Sequence, residues 1–124
     1  MQLFNDKWYL LSNHAPWDDA NLKESITEDG YWVMLSRFSD FDAVAQCFVK
    51  LSGTGTFDVT ITPYLTAYVD DGVSSLISLD AGKNFTGTGT VYGNLDNNYL
   101  MKGYFVVQVA GLTAGQSLSM RVYK

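Results

Sequence analysis

One histidine (His14), one cysteine (Cys47) and two arginines (Arg37, Arg121) must supply most of the chemistry in this 124-residue chain. A general base at His14 needs a nucleophile and an orienting carboxylate beside it. Ser12 and Asp18 are close in sequence, but Ser12-Asn-His-Ala-Pro16 reads as a loop, and neighbours along a loop do not make a triad. His14 is therefore expected to be a turn residue. Cys47 lies between Ala45 and Val49 on the apolar phase of a strand, where a thiol is an inert core residue, not a nucleophile.

The carboxylates are more numerous but no better organised. Asp40 and Asp42 share one face of any extended segment, and Asp70, Asp71 and Asp96 fall in turns and loops. Calcium is the one cation these oxygens bring to mind. Yet Asp70-Asp-Gly72 lacks the alternating ligands and closing glutamate of a calcium loop, and aspartates in turns ordinarily bond their own backbone. No cofactor is expected. A glycosidase needs two carboxylates set apart by their surroundings, and nothing singles out two of the 13. Gly53-Thr-Gly-Thr56 and Gly87-Thr-Gly-Thr90 look like phosphate loops only in composition, because each opens a strand and neither is followed by the lysine. A small hydrolase using aspartates is the weakest reading, and the chain is read as a non-enzyme.

Aromatic residues are the suggestive set, with eight tyrosines, seven phenylalanines and three tryptophans. They can cover sheet faces, carry an interface or stack on sugars. For an interface the N-terminal cluster Phe4, Trp8, Tyr9 and Trp17 is the best candidate. For a sugar platform it is Trp17, Tyr92 and Tyr99, with Asp96 beside them to bond hydroxyls.

The elements that must position these residues are strands. From Ala43 to Leu51 the odd positions are apolar. Gly53-Thr-Gly-Thr56 then turns the chain into Phe57, Val59 and Ile61, alternating with Asp58, Thr60 and Thr62, and so predicts a half-buried strand pair. Pro63 stops that ladder or puts it at an edge. Val73 to Leu79, Val91-Tyr92, Tyr104 to Ala110 and Leu118 to Tyr123 are further strands, with Asn94 to Asn98 as a loop. Lys7 to Leu11 and Tyr31 to Ser36 are earlier ones, and Asp18 to Glu28 is the one place for a short helix, capped by Asp18 or Asp19. Cys47, Val49, Phe57, Val59, Ile61, Val107, Val109, Leu118, Met120 and Val122 share the inward phase and are the expected core. Strands about ten residues apart, joined by Gly/Asp turns, predict an all-β, antiparallel, jelly-roll-like sandwich. Residues 1–30 are expected as an N-terminal arm or edge segment and residues 31–124 as the sandwich domain.

Composition narrows the partners. The net charge of −5 contains no basic block, which disfavours nucleic acid and anionic membranes. No apolar run approaches the ~20 residues of a spanning helix, and Met1 to Lys7 lacks the pattern of a secretory signal. A single cysteine allows no internal disulfide, and synthesis and folding in cytoplasm are expected.

Leu51-Ser-Gly-Thr-Gly-Thr-Phe-Asp-Val-Thr-Ile61, Asp71-Gly-Val73 with Leu79 after it, and Val107-Gln-Val-Ala-Gly-Leu-Thr-Ala-Gly-Gln-Ser-Leu-Ser-Met-Arg-Val122 resemble the β-sandwich modules of tailed-phage virion proteins, of the head-decoration and tail or fibre types. The resemblance covers about 70 residues, 51–122, and rests on turns. It implies a non-enzymatic capsid-decoration or related particle component, placed in a virion assembled in host cytoplasm. Its partners would be its own subunits and other virion proteins, as a homo-oligomer. A carbohydrate-binding module is the alternative.

Overall fold

The computed structural model describes residues 3–4, 7–11, 22–44, 46–69, 72–95 and 99–123, without the side chains of 3–4, 37, 39–44, 72, 99–101 and 123. Among the described residues eleven strands form: β1 (Leu3–Phe4), β2 (Trp8–Leu10), β3 (Leu22–Lys23), β4 (Gly30–Val44), β5 (Gln46–Gly53), β6 (Thr56–Thr66), β7 (Ile77–Ser78), β8 (Lys83–Thr88), β9 (Val91–Leu95), β10 (Tyr99–Ala110) and β11 (Gln116–Tyr123). All pairings between these strands are antiparallel. One sheet has the order β1-β11-β5-β9. The other runs β3-β2-β4-β10-β6-β7, with β8 also on β6. Taken in chain order, β1, β4, β5, β6, β8, β9, β10 and β11 switch sheets at every step but β6 to β8, which is the winding of a jelly roll. The all-β sandwich expected from the strand spacing is the observed fold.

Period-two alternation fills the space between the sheets. All ten residues expected in the core are buried in one cluster, to which Trp8, Trp32, Met34, Phe38, Phe85 and Phe105 also belong. Gly93 has a packing role in it: a Cβ there would collide with the Phe85 ring, so the bare backbone of β9 admits that ring. Outward residues of the larger sheet, with Leu11 just after β2, make a second cluster, Tyr9, Leu11, Val33 and Val106, beneath Tyr31, Tyr64 and Tyr104. The Tyr31 and Tyr64 rings lie 5.8 Å apart, and the Tyr64 hydroxyl donates to Gln108 Oε1 at 3.2 Å. Several tyrosines thus cover a sheet face.

The two Gly-Thr-Gly-Thr segments are not hairpins. The strands around Gly53–Thr56, expected as a pair, lie in opposite sheets, and so do those around Gly87–Thr90. Because β5 pairs with β9 and β6 with β8, the two corners run side by side, with Thr56 opposite Thr88 and Leu51 opposite Val91. Their glycines share one backbone shape, with φ of 136° and 81° at Gly53 and Gly55 and 150° and 80° at Gly87 and Gly89. Positive φ is open to glycine at little cost. The repeat encodes a corner. A third crossing, between β10 and β11, meets the first. The Gln116 amide donates to the carbonyls of Thr54 (2.9 Å) and Thr56 (3.2 Å), while its Oε1 accepts from Thr113 N–H at 3.1 Å.

Other expectations shift. β6 runs straight through Pro63, because β10 pairs with one edge of β6 and the opposite edge changes partner there. The Pro63 carbonyl accepts from Leu79 N–H on that edge, so the missing N–H faces the gap between β8 and β7. Val73 to Leu79 is not one strand but a 3-10 turn at Gly72–Ser75 followed by β7. The residues Ala43 and Val44 end β4 and do not begin β5. Among the described residues no α-helix forms: from Leu22 onward the expected helix is β3 and an isolated bridge from Ile26 to Leu118, while 18–21 lie outside the described residues.

The described parts of residues 1–30 pair with both sheets. β1 joins the smaller sheet, β2 and β3 the larger, and Ile26 exchanges two 2.8 Å backbone hydrogen bonds with Leu118. Asp29 then accepts from the N–H groups of Gly111 and Leu112, tying this segment to the third corner.

Candidate functional site

Outward residues of β5, β9 and β11 form the most chemically distinctive surface. Arg121, Phe48 and Asn94 lie opposite one another across the three strands, and in the next row so do Ser119, Lys50 and Tyr92. Phe48, Lys50, Tyr92, Ser119 and Arg121 line a recess of about 600 Å³. Tyr92 is 73% exposed and Phe48 39%, although strand alternation usually leaves polar residues on a solvent face. The Lys50 ammonium stands 6.0 Å from the centre of the Tyr92 ring, within cation–π range. The Ser119 and Ser25 hydroxyls are 3.2 Å apart, which joins the segment before β4 to the rim.

A second exposed surface lies on the β6–β8 connection. Tyr68, Val73 and Ile77 are exposed there, and Gly72 to Leu79 carries no charged side chain. Thr66 Oγ1 donates to the Tyr68 carbonyl at 2.9 Å and lies 2.8 Å from Ser75 Oγ, so the connection is braced from beneath. β7 pairs with β6 on one side and, among the described residues, with no strand on the other.

The sequence-predicted sites fare unevenly. Trp8 (1% exposed) and Tyr9 (3% exposed) are buried within the chain, Trp8 in the cluster between the sheets and Tyr9 in the outer cluster of the larger sheet. Phe4 pairs with Val122 in the ladder, and its side chain lies outside the described residues. Trp17, His14 and Asp96 lie outside them too. Of the sugar platform, Tyr92 is exposed, and Tyr99 is placed only by its backbone, opposite Val44. The side chains of Asp40 and Asp42 and the whole of Asp70 and Asp71 are outside the described residues. Among those described, no three His, Cys, Asp or Glu side chains gather as a metal site. Cys47 is fully buried with its thiol 3.9 Å from Met120 Sδ, and burial pushes its pKa up to about 12. Sequence reading missed the Phe48–Lys50–Arg121 face. Its signal was Phe48 standing out of phase in an otherwise alternating strand.

No family model, curated protein or solved structure matches the chain.

Proposed function

We propose that this chain is a non-enzymatic virion component, a capsid-decoration or related tailed-phage particle protein that acts by protein–protein assembly as a homo-oligomer. The particle would be assembled in host cytoplasm, with other virion proteins as partners. One observation carries the reading: the uncharged edge strand β7, with Ile77 exposed on it and Val73 and Tyr68 exposed on the same connection. Folded proteins usually protect a sheet edge with lysine, proline or a bulge. Here Ile77 is 62% exposed on the edge strand itself. Pairing that edge with a neighbouring subunit would engage the outward backbone groups of β7, which no described strand pairs, and bury the three side chains at once. A stable contact of this kind covers ~800 Å² per partner. The jelly-roll winding serves many functions and adds no weight.

Light scattering coupled to gel filtration tests this. The wild-type chain is expected at an integral multiple of its 13.8 kDa mass, and Ile77→Lys at the mass of one chain with unchanged far-UV circular dichroism. A monomeric wild type, or an Ile77→Lys oligomer, would count against the edge.

A further inference from the structure

We propose that the outer face of the smaller sheet is a binding site for an acidic saccharide, a sugar chain bearing carboxylates. This goes beyond the assembly reading and uses a different surface. The chain carries a net charge of −5, yet β5, β9 and β11 contain no Asp or Glu. Lys50 and Arg121 therefore make a positive island on an acidic protein, with no ion pair to either among the described residues. Such an island favours an anion.

The rings define what the anion is attached to. Tyr92 and Phe48 are diagonal neighbours, Phe48 being opposite Asn94, two residues from Tyr92. Cross-strand diagonals lie ~7–8 Å apart, a distance a disaccharide bridges. Tyr92, 73% exposed, offers an apolar platform for the C–H face of a sugar ring, with Phe48, 39% exposed, beside it. A neutral sugar needs acceptors as well as donors for its hydroxyls. Lys50 and Arg121 only donate, and among the described residues lining the recess none is a carboxylate that could accept. Donors that charged match a carboxylate, which the Arg121 guanidinium can hold through two parallel bonds. Ser119 and Asn94 remain for the hydroxyls.

Calorimetric titration with trigalacturonate, at low salt, reads the site directly. Saturable binding is expected, weakened about tenfold or more in both Tyr92→Ala and Arg121→Gln. Both side chains are exposed, so the variants keep the fold. Ile77→Lys should bind like wild type, which separates this site from assembly. Maltotriose and triglutamate are the comparison ligands, and neither should compete. No binding of trigalacturonate overturns the proposal, as does equal binding of maltotriose. Triglutamate binding as tight as trigalacturonate, and indifferent to Tyr92→Ala, would make the face an acidic-peptide site and overturn it too.

Discussion

Cys47 and Gln116 occupy equally buried positions and solve the problem of polarity in opposite ways. The amide of Gln116 spends its hydrogen-bonding capacity on three backbone groups at the corners, so its burial leaves little unsatisfied. Among the described residues the thiol of Cys47 has only Met120 Sδ within reach, and burial holds it neutral, moving its pKa from 9.0 to about 12. The sign of the pH effect follows. Between those values the unfolded thiol has lost its proton while the folded one keeps it, so raising the pH favours unfolding. At pH 7–8 both states hold the proton and the contribution is constant. Wild type should exceed Cys47→Ala by about 1–2 kcal/mol near neutrality, from lost packing. That lead should shrink as pH rises from 9.0 towards about 12, measured as the difference in urea midpoint. A lead independent of pH would mean that the thiol ionises in the folded state as freely as outside it.

At the scale of elements, the corners set how the sheets face each other, and their glycines are not equivalent. A Cβ on Gly53 would run into the Gly115 carbonyl oxygen and lie 2.7 Å from Gln116 Cα, both backbone atoms that cannot yield cheaply. A Cβ on Gly89 meets nothing within 4 Å, so only its φ of 80° opposes a side chain. Gly89→Ala should therefore cost about 1–2 kcal/mol and Gly53→Ala clearly more, by thermal or urea unfolding. Equal losses would show that φ alone governs both sites.

The same corners mark how far the elements were legible. Alternation gave the core of β5, β6, β10 and β11 correctly, since each has one face on the cluster. It could not distinguish a hairpin from a sheet crossing, because Gly-Thr-Gly-Thr serves either and only the partner strands decide. β4 was underestimated because its ladder with β10 shifts register between Met101 and Gly103 and between Tyr104 and Val106, and such irregularities break the period of two. The recess was hidden for a related reason. Phe48 and Lys50 share an outward phase that reads as surface, and their meeting with Tyr92 and Arg121 depends on pairings across 42 to 73 residues of chain.

For the whole molecule, the N-terminal residues decide whether the sandwich is an independent unit. Trp8 reaches the core edge-on to Phe105, ring centres 6.3 Å apart, and pairs through its backbone with Met34 and Lys23. Ile26 fills the same cluster from the opposite sheet. Truncating one such aromatic costs ~3–5 kcal/mol, a large part of the ~5–15 kcal/mol that stabilises a domain. Removing residues 1–11 takes away Trp8, Leu10, Tyr9 and Leu11 together and uncovers the outer edge of β4 as well. An arm that only docked on a neighbour could be deleted with loss of assembly and no loss of fold. Here the deletion should yield a chain without a cooperative unfolding transition, and Trp8→Ala a folded but much weaker protein. Circular dichroism of both during urea titration tests this. A truncated chain that unfolds cooperatively near the wild-type midpoint would return these residues to the role of a separable arm and make their burial incidental to stability.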